Sequence, residues 1–134
     1  MTNLSVKHAT MARLAGLLIA TAACPAMADV NDYEFQLVKS EIKMGDVIVD
    51  VQLLNNKTQK AVPDAVIFAR RLDMAPEGMP TMTAELEPLP PDEPGIYRFR
   101  TNLTMEGGWQ LSLAAKVQGE SGTLQARLGL KAQN

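Results

Sequence analysis

Histidine and cysteine are almost missing from this chain: the single histidine is His8 and the single cysteine is Cys24. Both fall within the first 28 residues, which read as a removable leader, so the rest of the chain has neither. That excludes a Ser-His-Asp triad, a cysteine nucleophile and a zinc site of the usual ligand types. It also excludes disulfides, so an oxidising compartment costs this domain nothing and its core must hold on packing alone. Aromatic side chains are sparse, with one Trp, two Tyr and three Phe. No glycine-rich phosphate loop is present, because Gly107-Gly108 is a turn with no helical pattern after it. Carboxylates are plentiful but no pair stands out as acid and base, and no enzymatic activity is expected.

The leader is written in three parts. Lys7, His8 and Arg13 form a positive start, residues 14–23 (LAGLLIATAA) an apolar run, and Ala26-Met27-Ala28 a small-residue cleavage site. This is the pattern of a secretory signal peptide over residues 1–28, with Asp29 as the new N-terminus. The apolar run is shorter than the roughly 20 residues a membrane span needs, so no span is expected after cleavage. Thr21-Ala22-Ala23-Cys24 loosely resembles a lipoprotein cleavage box, but Thr21 stands where Leu is usual and Pro25 follows at once, which favours cleavage after Ala28. Residues 29–134 then form one domain with 11 basic and 15 acidic residues, a net charge of −4. That balance disfavours nucleic acid and an anionic membrane as partners.

No stretch after residue 28 carries the 3.6-residue period of a helix; the period is two. Alternation predicts strands over residues 33–38, 47–54, 65–72, 81–86, 96–104, 109–117 and 123–130. The inward sets are Val47, Val49, Val51 and Leu53; Tyr97, Phe99 and Leu103; and Trp109, Leu111, Leu113, Ala115 and Val117. Leu124, Ala126, Leu128 and Leu130 align on the last strand. For residues 65–72 the inward set is either Val66 and Phe68 or Ala65, Ile67 and Ala69, and alternation does not choose. Residues 55–63 and the proline-rich 87–95 read as turns. The class is all-β, an immunoglobulin-like β-sandwich of about seven strands. Gly95-Ile96-Tyr97 has the form of a tyrosine corner, whose phenol bonds nearby backbone.

What the chain has in excess is methionine. Met74, Met79 and Met82 lie within nine residues that also hold Pro76, Gly78 and Pro80, which rule out a helix there. If strands alternate in direction, the first, third and fifth connections share one end of the sandwich. Met44 lies in the first, Met74 and Met79 in the third with Met82 just beyond, and Met105 opens the fifth. All five then meet at one end. Thioether sulfur is soft and neutral; it suits Cu(I) and Ag(I) and matches Mg²⁺ or Zn²⁺ poorly. Met79-Pro80-Thr81-Met82 sets two sulfurs within reach of one ion on a bent chain, with Met74 or Met105 as a third ligand and Asp73, Glu77 and Glu106 nearby. Methionine also fills the irregular end of a sandwich, and the residues alone leave both readings open. Trp109 is expected in the core at this end. Arg70-Arg71 is expected to pair with Asp73 or Glu77. No organic cofactor is implied.

Ala65 on a strand, then Met74, Met79 and Met82, then Pro94-Gly95-Ile96-Tyr97, then Met105-Glu106-Gly107-Gly108-Trp109, form a series that resembles the FixH and YtkA-like families of bacterial periplasmic domains, over roughly residues 45–130. The resemblance implies a periplasmic immunoglobulin-like sandwich associated with copper or silver handling. FixH-type proteins serve assembly of copper-containing oxidases, and YtkA-like domains occur beside heavy-metal efflux adaptors. A heavy-metal efflux component or a copper oxidase assembly protein is the implied partner. The alternative to metal binding is a module that docks on such a partner and holds no metal. Two departures turn the reading toward a small soluble relative of FixH: the N-terminal segment looks cleavable, and no histidine follows it.

Overall fold

A strand with one apolar face can bury that face only against another layer, so a chain of such strands stacks two sheets. The computed structural model describes residues 29–134; the expected signal peptide, its cleavage site and Cys24 lie outside the described residues. Ten strands follow a short 3-10 turn at Val30–Asp32: β1 (Tyr33–Leu37), β2 (Glu41–Lys43), β3 (Gly45–Asn55), β4 (Lys60–Ala61), β5 (Val66–Met74), β6 (Met79–Ala84), β7 (Glu87–Leu89), β8 (Ile96–Leu103), β9 (Gly107–Lys116) and β10 (Leu124–Gln133). One sheet has the order β1-β3-β8-β7, with β4 paired to the end of β3; the other has the order β2-β10-β9-β5-β6. β2 runs parallel to β10, and the other pairs are antiparallel. The fold is an immunoglobulin-like β-sandwich.

The seven expected strands are all present, and the count rises to ten because β2, β4 and β7 lie in segments read as connections. Each is two or three residues long. Such pieces join a sheet through backbone hydrogen bonds alone and need no alternating side chains. β7 carries Pro88 on an edge, where a missing N–H is tolerated.

Val49, Val51, Leu111 and Leu113 close the space between the sheets at 0, 0, 0 and 3% exposure. Around them pack Leu53, Phe99, Leu103, Trp109 and Ala115 from the inward sets read off the alternation. β5 answers its open question in two halves. Val66 and Phe68 point outward, so Ala65 and Ile67 take the inner side. The register on β9 then shifts between Ile67 and Ala69, a bulge that reverses the alternation, and Leu72 and Met74 become the buried pair.

Tyr97 behaves as a tyrosine corner with a distant partner. Its hydroxyl donates to the Val62 carbonyl at 2.7 Å and accepts from the Ala65 N–H at 3.1 Å. The phenol therefore ties β8 to the connection before β5 in the opposite sheet, not to its own neighbourhood. Gly95 makes room for this: it sits at φ +83°, and a Cβ there would meet the Ala61 Cβ at 2.5 Å.

Candidate functional site

β5 ends in Leu72-Asp73-Met74, turns through a 3-10 turn at Ala75–Glu77 and leaves as β6 from Met79, so that Met74 and Met79 face each other across the hairpin. Gly78 takes the left-handed conformation (φ 73°) that reverses the chain, and its N–H donates to the Ala75 carbonyl at 2.9 Å. Asp73 shapes the turn. One carboxylate oxygen accepts from the Ala75 N–H at 2.9 Å, and the other accepts from Arg71 Nε at 2.8 Å. The Ala75 N–H and the Arg71 guanidinium hold this carboxyl below the usual carboxylate range, although burial acts the other way. Arg71 also donates to the Pro80 carbonyl at 2.6 Å, so one guanidinium braces both strands of the hairpin. Of the expected arginine pairings, Arg71 with Asp73 is found; Arg70 instead donates to the Leu86 carbonyl at 3.0 Å.

Glu77 reaches from the hairpin tip to the start of β9, where its carboxylate accepts from the Gly108 N–H at 2.8 Å. Glycine eases this approach. A Cβ on Gly108 would lie 3.1 Å from the Pro76 Cβ, and one on Gly107 would lie 3.0 Å from Glu77 Oε1. Beneath the contact Trp109 is buried at 1% exposure, and its Nε1 donates to the Met105 carbonyl at 3.1 Å. The series Met105-Glu106-Gly107-Gly108-Trp109 is therefore a platform: the indole anchors it in the core and the glycines let the methionine hairpin lie on it.

The Met44 N–H donates to the Gln133 carbonyl at 2.8 Å, and Gly45 pairs with Leu103, just before Met105. Met44, Met74, Met79 and Met105 thus lie at one end of the sandwich, and Met82 lies further along β6. Their surroundings differ. Met74 is a core side chain with 0% exposure and offers no surface to an ion arriving from solvent. Met79 and Met82 are half-buried against the core, and Met105 is exposed at 38%. Among the described residues no group of three or more His, Cys, Asp or Glu side chains is placed to hold a metal ion. Asp73 and Glu77 are already engaged within the protein, so a soft-metal site at this end rests on thioethers. Residue-type reasoning missed the buried role of Asp73, although a signal was there: an Asp two residues before a turn N–H is the pattern of an Asx-turn.

Fold and site together define a cysteine-free immunoglobulin-like sandwich whose methionines gather at one end. The YtkA-like family model matches residues 27–114, from the expected leader boundary into β9, and the chain belongs to the YtkA-like family. No curated protein matches it. Among solved structures the Lin-41 filamin domain is similar, at 17% identity over 79% of this chain and 94% of that one, with a TM-score of 0.47.

Proposed function

We propose that this YtkA-like protein is exported to the periplasm and carries Cu(I) or Ag(I) as cargo on Met79 and Met82, with Met105 as the third thioether, in exchange with a heavy-metal efflux or copper oxidase assembly component. The observation that carries the reading is the contact between Glu77 and Gly108, which holds the methionine hairpin against the turn bearing Met105. Softness of the donor set supports the choice of ion. Thioethers have no proton to lose, so uptake should change little between about pH 5 and 8, and Zn²⁺ should not compete.

A second reading has an observation of its own. Met74 is fully buried and Met79 and Met82 pack on the core, as methionines do when they fill space. The protein would then dock on the same class of partner without holding metal. Anaerobic Ag(I) titration of wild type against the near-isosteric Met79→Leu/Met82→Leu variant separates the two. Uptake of one ion by wild type and its loss in the variant support the cargo reading. Equal uptake by both proteins, or uptake by neither, replaces it with docking.

A further inference from the structure

β5 is paired to β9 from Val66 to Asp73, but to β6 only through Leu72, Asp73 and Met74. After Ala84 the chain leaves this sheet and joins the other as β7. Among the described residues the edge of β5 over residues 66–70 therefore carries no strand. On its inner side a groove of about 320 Å³ opens between the two sheets, with Ala65, Ile67, Leu89, Ile96, Tyr97 and Phe99 in its lining. Val66 and Phe68, at 59 and 54% exposure, are the most exposed large hydrophobic side chains among the described residues. The run Ala65-Val66-Ile67-Phe68-Ala69 has no charge, proline or glycine, the profile of a segment that pairs with another strand. Native edges are usually blunted by charge or covered. Here charge stands only at the two ends of the run, acidic at Asp64 and basic at Arg70-Arg71. Neither Asp64 nor Arg70 takes part in an ion pair among the described residues.

We propose that this edge pairs with the same edge of a second copy of the chain, antiparallel and two-fold about Ile67, so that Val66 of each copy lies opposite Phe68 of the other. The end charges select this occupant. Antiparallel self-pairing brings the Asp64 end of one copy to the Arg70-Arg71 end of the other, and symmetry repeats the match. A parallel pair would set like charges side by side at both ends. In the antiparallel pair Val66 and Phe68 come together on the outer face. The inner face continues from one sandwich to the next and closes both grooves, and backbone hydrogen bonds satisfy the open edge. The inference is independent of the methionine end, which lies at the opposite end of β5.

Sedimentation velocity across a concentration series tests it with the purified protein. Wild type should sediment as a dimer that weakens with salt. Phe68→Lys sets like charges near the two-fold at a position already exposed, so it should give a monomer with unchanged circular dichroism. Asp64→Arg, on an exposed connection, should weaken the dimer about tenfold or more because the reversed charge counts twice. If Phe68→Lys fails to fold, Asp64→Arg alone decides. A wild type that stays monomeric up to about 0.1 mM overturns the proposal, as does a dimer that ignores both substitutions. A monomer whose β5 edge takes an extended peptide from another protein also overturns it, in favour of a heterologous strand.

Discussion

Asp73 sits at the root of the methionine hairpin with 4% exposure, and its charge is kept by the Ala75 N–H and by Arg71. Because its folded pKa lies below its unfolded one, the stability it contributes is complete above the ordinary carboxylate pKa of about 4 and is lost as pH falls through the folded value. Asp73→Asn should cost about 1–3 kcal/mol at neutral pH, since it removes a charge-assisted acceptor and leaves the half-exposed Arg71 without its partner. The gap between wild type and variant should narrow as pH falls below about 4, and urea melts at several pH values would show it; a gap that stays constant would mean the carboxylate is not ionised in the fold. Thr101 makes the opposite case. It is buried on the inner face of β8, and its hydroxyl has no hydrogen-bond partner among the described residues. Thr101→Val keeps the shape and removes the unmatched polar atom, so stability should rise by up to about 1 kcal/mol, read as a higher urea midpoint at unchanged m-value.

At the scale of the element, the β5–β6 hairpin is held by two contacts that act together: its strands are braced by Arg71, and its tip rests on Gly107 and Gly108. Gly108→Ala would push a methyl group against the proline ring of Pro76, which cannot swing aside as a long side chain can. The expected cost is about 1–3 kcal/mol. If the hairpin lifts to make room, the bond from Glu77 is lost in the same movement. Glu77→Ala in the Gly108→Ala background should then cost less than Glu77→Ala alone, a non-additivity that a double-mutant cycle in urea measures. Strict additivity would mean the tip adjusts without leaving the turn.

For the whole molecule, the expected start at Asp29 has a consequence at the first turn. The Asp29 amide donates to a carboxylate oxygen of Asp32 at 3.0 Å, and the Asp29 side chain accepts from the Asn31 N–H. Cleavage after Ala28 would turn that amide into an ammonium group beside the same carboxylate, a stronger charge-assisted bond. The Ala26-Met27-Ala28 pattern predicts that the intact mass of the protein from its native host begins at Asp29. A lipid-modified mass beginning at Cys24, or an uncut chain, would refute the cleavage.

Residue order alone determined the class and most of the core. A period of two is a local property, so the inward faces of β3, β8 and β9 were legible as alternating Val, Leu and aromatic positions. The gathering of the methionines was legible for the same reason: antiparallel alternation sends alternate connections to one end, and the short strands β2, β4 and β7 add pairing without changing that direction. What alternation could not supply was anything set by contact across the fold. The inward face of β5 depends on a bulge against β9, a registry between strands far apart in the chain. The acceptor of the Tyr97 hydroxyl, the Val62 carbonyl, lies 35 residues earlier in the connection that crosses to the other sheet. Which thioether is buried follows from the same bulge, which sets Met74 with Leu72 on the inner side, whereas Met105 sits on the connection after β8 at 38% exposure. Side-chain type is written locally, whereas burial is decided by whatever the rest of the chain lays on top.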